Sequence, residues 1–220
     1  MRIITDNPCR KAESLPENNQ LTRHLSFEEE DRLFAELTDD REYLRALITV
    51  AIYAGPRRGE LLKLRWSNVD FGLNLVNFTE TKTNRDRAVP MEPIARDALL
   101  ELSQQSGDAE FVFTNPDTGT RYTDVKKAFS AACREAGVSN FTFHDLRHTF
   151  GTRLADAGVD VVKIKELMGH ASIVTTMRYI HATDQGKRGA ITVLSEYRQK
   201  RRHKFVADDK RQAVQPAVSI

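Results

Sequence analysis

Apolar residues recur along most of this chain with the spacing of amphipathic helices, and turn residues separate the periodic stretches. The run Ser26-Phe27-Glu28-Glu29 has the form of a capping box, so the first helix is predicted to follow it and to reach about Leu37. Gly55-Pro56 ends a second helix predicted over residues 40–54, and a short helix is predicted over 58–64. Five apolar side chains share one face of the second helix: Leu44, Leu47, Ile48, Ala51 and Ile52.

The pattern changes between residues 69 and 90. Short apolar stretches there are interrupted by Gly72 and by a polar run at 81–86, which predicts a small three-stranded antiparallel sheet with a hairpin tip at 82–84. Further helices are predicted over residues 92–105, 123–136, 143–157, 160–168, 171–181 and 184–203. Helix C-termini are expected at three glycines: Gly137, Gly158 and Gly169. The fold class is therefore predicted as α+β, mostly helical.

The composition limits the class of protein and its expected location. Of its 220 residues, 40% are hydrophobic, which is enough for a core. The longest apolar stretch, residues 46–55, is about half of the ~20 residues that cross a bilayer, so no membrane contact is expected. The first twenty residues lack a signal-peptide pattern, and Cys9 and Cys133 make neither a disulfide framework nor a zinc site. We expect a reduced, cytoplasmic protein.

The charge is unevenly distributed. The net charge is only +2, yet residues 187–211 carry nine Lys or Arg against three acidic residues. A basic C-terminal segment on a nearly neutral body is typical of contact with a polyanion. It is equally typical of a solvated helix and tail, so charge alone leaves both interpretations open.

Four short stretches contain residue types that packing does not readily explain. They are Gly55 to Glu60, Lys82 on its hairpin, His144 to His148, and Met168-Gly169-His170 with Tyr179 nine residues later. On the helix predicted from residue 143, positions 144, 147 and 148 share one face. An imidazole beside a planar guanidinium is well suited to a phosphate undergoing displacement.

These stretches resemble the signature of the tyrosine recombinases, the phage-integrase family. The sequence contains Gly-x-Arg-x-x-Glu, His-x-Leu-Arg-His-Thr-Phe, Leu-Met-Gly-His and a downstream Tyr in the family's order, over about residues 25–180. The resemblance implies a tyrosine-recombinase catalytic fold. It also implies that Tyr179 attacks the scissile phosphate and forms a 3′-phosphotyrosyl bond, and that Arg57 and Arg147 bind the non-bridging oxygens.

The resemblance implies three further roles. Lys82 would protonate the departing 5′-oxygen, His144 would assist proton transfer to and from the tyrosine, and His170 would hydrogen-bond a phosphate oxygen. Three nearby basic residues are rivals for the role of Lys82: Lys63, Arg85 and Arg87. No metal, ATP or other cofactor is implied. The implied partners are double-stranded DNA, a tetramer of the protein on two duplexes, and accessory DNA-bending proteins. The implied location is cytoplasmic and nucleoid-associated.

The domain organisation follows from the same resemblance. Residues 1–25 are predicted to be the remnant of a linker, 26–203 the catalytic domain, and 204–220 a flexible C-terminal tail. Members of the family usually carry an additional N-terminal core-binding domain, and we expect residues 1–220 not to include it. The sequence leaves open whether the chain is a fragment or naturally short.

Three alternatives remain beside this prediction. His144 and His148 are four residues apart, as in the zinc-protease motif His-Glu-x-x-His, but Arg147 on the same face and the lack of a third ligand argue against a metal hydrolase. His148 itself is predicted to be a buried, hydrogen-bonded residue rather than a catalytic one. A type IB topoisomerase would share the chemistry, and a DNA-binding module without activity would share only the partner.

Overall fold

The computed structural model describes residues 23–79 and 86–180, together with residues 191, 192, 194, 195 and 198. The chain divides into one unit up to Ile180 and a second unit from His181. The five described residues of the second unit are helical. Lys82 with its hairpin tip, the predicted linker up to residue 22 and the predicted tail 204–220 lie outside the described residues.

The first unit is mostly helical with one small sheet. Its described α-helices are α1 (Phe27–Ala35), α2 (Tyr43–Ala54), α3 (Arg58–Leu62), α4 (Pro93–Gln105), α5 (Lys126–Glu135), α6 (Phe143–Asp156), α7 (Val161–Met168) and α8 (Ile173–Met177). The strands are β1 (Val69–Asp70), β2 (Leu75–Phe78) and β3 (Arg87–Pro90). They form an antiparallel sheet in the order β1-β2-β3, with Val76 opposite Val89. The predicted α+β class is confirmed.

Local sequence signals determine several helix ends. The Ser26 hydroxyl accepts a hydrogen bond from the Glu29 N–H at 3.2 Å, and the Glu29 carboxylate accepts one from the Ser26 N–H at 3.1 Å, so the predicted capping box is confirmed. The second predicted helix begins later than expected, because residues 39–41 form a separate 3₁₀ turn before α2. All three glycines predicted to end helices have positive φ: Gly137, Gly158 and Gly169.

Helix α2 forms the centre of the core. All five apolar side chains predicted on its face are buried, and the helix packs against α4 and α6. Gly55 ends α2 in the left-handed conformation, with φ of +62°. A Cβ at Gly55 would lie 2.2 Å from Cδ1 of Phe150 on α6, so only glycine permits this approach. The close crossing brings the residues after Gly55 next to α6.

A second, smaller apolar cluster joins α6, α7 and the turn that follows α8. It contains Phe150 of α6, Ile164 and Met168 of α7, and Tyr179. The sequence predicted a helix over 171–181, but α8 ends at Met177, and Tyr179 lies in the turn that follows it. None of the described helices is long and apolar enough to cross a membrane.

Candidate active site

Arg147 is the most deeply buried cation of the site, with 3% of its surface exposed. Its Nη1 donates to the carbonyl oxygen of Gly55 at 2.7 Å, and its Nη2 donates to the carbonyl oxygen of Met168. Burial, followed by the nearby Arg87 and Arg57, lowers the pKa of Arg147 to about 9, so the group remains charged at neutral pH. Two backbone carbonyls from distant segments therefore fix the plane of this guanidinium.

Arg57 lies immediately before α3 and is held by Glu60. The Glu60 carboxylate accepts a hydrogen bond from the Arg57 N–H at 2.9 Å and one from Nη1 of the Arg57 side chain at 2.7 Å. The Nη2 of Arg57 also donates to the carbonyl oxygen of Gly169 at 3.2 Å. Because the Arg57 side chain is partly exposed, its remaining N–H groups are accessible to a ligand.

Arg87 is a third cation in this region, which the sequence offered only as a rival of Lys82. Its Nη2 donates to the Glu60 carboxylate at 2.8 Å, and its Nε donates to the carbonyl oxygen of Leu167 at 2.9 Å. Arg87 begins β3 and points to the same buried face as Val89. Side chains alternate between the two faces of β3, and this pattern could have predicted from the sequence that Arg87 is buried. A buried arginine in a strand requires polar partners.

The C-terminal end of α7 organises all three arginines. Successive carbonyl oxygens, those of Leu167, Met168 and Gly169, each accept a hydrogen bond from a different guanidinium. The C-terminus of a helix has partial negative charge and unpaired carbonyls, so it attracts cations. Gly169 has a φ of +63°, and a Cβ added there would lie 3.0 Å from two atoms of Arg87, so a larger residue would be strained and would press on that guanidinium.

His170 follows directly after this helix end. Its Nδ1 lies 2.9 Å from Oγ1 of Thr176, and its ring is parallel to that of Tyr179 at a centroid distance of 6.3 Å. Burial, followed by the charges of Arg147 and Arg57, lowers the pKa of His170 to about 3. His170 is therefore neutral at physiological pH. One of its ring nitrogens can donate a hydrogen bond and the other can accept one.

Tyr179 is buried, with 1% of its surface exposed. Its Oη lies 2.6 Å from Nδ1 of His148. Burial raises the pKa of Tyr179 to about 12, although Arg147 and then Arg178 act in the opposite direction. Burial, followed by His144, lowers the pKa of His148 to about 4. At neutral pH both groups are therefore uncharged, and the tautomer of His148 determines which of them donates.

His144 lies one turn earlier on α6. Its exposed ring is edge-on to that of His148, at a centroid distance of 4.7 Å. Partial desolvation and the charge of Arg147 lower its pKa. The imidazole that contacts the Tyr179 hydroxyl is that of His148, which is half-buried rather than buried as the sequence predicted.

Five of the six predicted site residues thus lie in one region, around the end of α7 and the inner face of α6: Arg57, His144, Arg147, His170 and Tyr179. The sixth, Lys82, lies outside the described residues. Among the residues that the structure describes, no cluster of three or more His, Cys, Asp or Glu side chains could hold a metal ion. The arrangement is a group of fixed cations beside a buried phenol.

This fold and this arrangement of residues are those of a tyrosine recombinase catalytic domain. The family model described as "Phage integrase family" matches residues 23–186. The chain therefore belongs to the phage integrase family, and the resemblance seen in the sequence is confirmed.

Individual relatives agree with this assignment. The integrase of Salmonella phage P22 is 31% identical over 179 residues, which cover 76% of this chain and 45% of that protein. The crystal structure of XerA recombinase is 29% identical with a TM-score of 0.65, over 77% of this chain and 64% of that chain. A structure of Tn1549 transposon integrase in complex with transposon right end DNA shares the fold, with 22% identity and a TM-score of 0.71, over 82% of this chain and 68% of that chain. The chain thus spans less than two thirds of P22 integrase and of XerA.

Proposed function

We propose that residues 26–203 are the catalytic domain of a site-specific DNA recombinase or integrase, which breaks and rejoins DNA strands through a 3′-phosphotyrosyl bond to Tyr179. The observation that carries this proposal is the convergence of Arg57, Arg147 and His170 on the end of α7, beside the Tyr179 ring. Fixed cations around an otherwise unreactive phenol are what attack on a phosphodiester requires.

The two arginines bind the scissile phosphate. A guanidinium has five N–H donors, and the carbonyls of Gly55 and Met168 occupy two of those of Arg147. The remaining donors of Arg147, together with those of Arg57, bind the non-bridging oxygens. Because both groups are already held by the protein, they stabilise the additional negative charge of the pentavalent transition state without reorganising. His170 donates a further hydrogen bond to a phosphate oxygen.

Tyr179 supplies the nucleophile. Its Oη bonds to phosphorus while the 5′-oxygen leaves with a proton from Lys82, the acid that the family resemblance implies. The phosphotyrosyl ester retains the bond energy, so the reverse reaction rejoins a strand without ATP. Because Tyr179 is 1% exposed, side chains that cover Oη must move before the phosphate reaches it.

The proposed partner is double-stranded DNA, which is supported by the DNA complex of Tn1549 integrase, a protein with the same fold. The family resemblance further supports assembly as a tetramer on two duplexes, with accessory DNA-bending proteins. It also supports a cytoplasmic, nucleoid-associated location.

A covalent-capture experiment tests the proposal. The chain is incubated with a library of duplexes of random sequence, each carrying a nick that traps the cleaved state, and covalent protein–DNA adducts are recovered under denaturing conditions. We expect adducts with the wild-type chain, mapped to the peptide that contains Tyr179 by mass spectrometry, and none with Tyr179→Phe. Tyr122→Phe, which removes the hydroxyl of a tyrosine that stacks on Tyr43, is the matched control. Adducts that persist in Tyr179→Phe, or none from the wild-type chain, would contradict it.

A further inference from the structure

The closest polar neighbour of the Tyr179 hydroxyl is a histidine to which the family resemblance gives no role. The Nδ1 of His148 lies 2.6 Å from Oη, and the two rings are tilted by 46° at a centroid distance of 5.7 Å. One turn of α6 further on, Gly151 would place a Cβ 3.0 Å from Cζ of Tyr179. Helix α6 therefore provides both the acceptor for the hydroxyl and the space for the ring.

Both partners of this hydrogen bond are uncharged at neutral pH. Tyr179 is protonated, since burial raises its pKa. His148 is neutral, since burial lowers its pKa, and in the tautomer with the proton on Nε2 its Nδ1 accepts from the Tyr179 hydroxyl. A neutral imidazole within hydrogen-bonding distance of the proton to be removed meets the geometric requirement for a general base.

His144 is the competing residue. It lies on the same face of α6, but its exposed ring contacts the edge of the His148 ring at 4.7 Å. A proton that leaves Tyr179 therefore meets His148 first. The charged groups that act on His148 are Asp145 and Arg147 of its own helix and Arg178, which precedes the tyrosine.

We propose that His148 is a catalytic residue that accepts the proton of Tyr179 during strand cleavage, an assignment that rests on the proposed function. The phenolic proton moves to Nδ1 as the bond between Oη and phosphorus forms. The bond between phosphorus and the 5′-oxygen breaks, and its electron pair leaves on that oxygen, which takes a proton from Lys82. In rejoining, the 5′-hydroxyl attacks phosphorus and gives its proton to Lys82, while His148 returns its proton to Oη as the phosphotyrosyl ester is broken.

Phosphate binding strengthens this base when it is needed. Burial, the neighbouring His144 and the charges of Arg178 and Arg147 lower the pKa of His148, and Asp145 partly offsets them. A bound phosphate places negative charge against Arg147 and offsets that repulsion. His148 thus becomes a stronger base in the complex, at the step that releases a proton.

A measurement without DNA tests the hydrogen bond itself. In the full chain labelled with ¹⁵N-histidine, two-bond ¹H–¹⁵N correlations give the tautomer of each imidazole. We expect His148 to carry its proton on Nε2, with an Nδ1 shift that moves in Tyr179→Phe. A proton on Nδ1 of His148, or a His148 signal that is unchanged in Tyr179→Phe, would overturn the proposal whether or not the chain cleaves DNA.

A kinetic comparison tests the proton transfer. Asparagine can place its carbonyl oxygen near the position of Nδ1, so His148→Asn retains an acceptor for the Tyr179 hydroxyl but cannot take its proton. We expect His148→Asn and His148→Ala both to reduce the rate of adduct formation by about 10²- to 10⁴-fold at pH 7, on a nicked duplex recovered from the capture library. In both variants the rate of adduct formation should rise as the pH increases towards 10, because Tyr179 then loses its proton to hydroxide. His24→Asn, at an exposed histidine before α1, is the matched control.

The alternatives give different results. If the contact only positions the ring, His148→Asn will cleave at the wild-type rate. If it holds the nucleophile inactive, His148→Ala will cleave faster. If His148 only supports the fold, the loss will be the same at every pH and will accompany a lower melting temperature. Each of these results overturns only the role proposed for His148. A wild-type chain that forms no adduct overturns the proposed function.

Discussion

The Nη2 of Arg87 and a carboxylate oxygen of Glu60 are 2.8 Å apart, and both side chains are almost fully buried, at 7% and 3% exposure. Burial alone would raise the pKa of Glu60, but its bonds to Arg87 and to the Arg57 backbone and side chain lower it. Glu60 therefore connects a structural arginine to one that is proposed to bind phosphate. The position of Arg57 depends on a residue that has no direct part in the reaction.

Removing Arg87 should be strongly destabilising. Arg87→Met leaves a buried carboxylate without its main partner, and loss of one member of a buried ion pair costs about 3–5 kcal/mol. The free energy of unfolding, measured by urea denaturation at pH 7.5, should fall by about this amount. Arg96→Met removes a partly exposed arginine 3.8 Å from Asp97 and should change the free energy of unfolding by less than about 1 kcal/mol. Equal effects of the two substitutions would show that the buried pair does not stabilise the fold.

Gly55→Ala should destabilise the chain more than Gly119→Ala, the same substitution at another glycine with positive φ. Gly55 and Gly119 have φ of +62° and +64°, so alanine is strained by about 1–2 kcal/mol at either position. Only at Gly55 does the new Cβ meet another side chain, 2.2 Å from Phe150. Urea denaturation should therefore show a larger loss for Gly55→Ala, with an excess of about 1–3 kcal/mol from overpacking. The prediction fails if both variants lose the same amount.

Stability should decrease as the pH falls from about 6.5 to 4. The pKa values of His148 and His170 in the folded chain are about 4 and 3, below those of the unfolded chain. Between these limits the unfolded chain binds more protons, so acidification favours unfolding. Urea denaturation at pH 7.5 and pH 5 should differ by roughly 1–2 kcal/mol for each histidine.

The same measurement on His170→Asn isolates one contribution. This variant lacks one of the two protonation sites, so its stability should depend less on pH over the same range. An unchanged pH dependence in His170→Asn would show that this imidazole is not held neutral by the fold.

Arg147→Lys should abolish adduct formation although it retains the charge. A lysine ammonium cannot replace the planar fork that reaches the carbonyls of both Gly55 and Met168. One buried carbonyl then lacks its donor, at a cost of about 1–3 kcal/mol. Adduct formation on a captured duplex measures the activity, and urea denaturation the stability. Arg134→Lys, at an exposed arginine of α5, should leave both unchanged. Substantial cleavage by Arg147→Lys would show that charge alone is sufficient.

Several features were determined by the sequence alone, because they depend on neighbouring residues. The capping box at Ser26, the buried face of α2 and the left-handed glycines after three helices are local patterns, and the structure confirms them. The ordered motifs were specific enough to indicate the family, which the family model confirms. These features require only that the chain follow the periodicity of its elements.

Other features were decided by tertiary packing. His144 and His148 lie on one face of α6, so their spacing could not show which imidazole contacts Tyr179. That choice depends on how the turn after α8 packs against α6, beside Gly151. The role of Arg87 likewise appears only when β3 lies against the end of α7. Sequence periodicity orients a side chain on its own element, whereas the position of the opposing element determines what that side chain contacts.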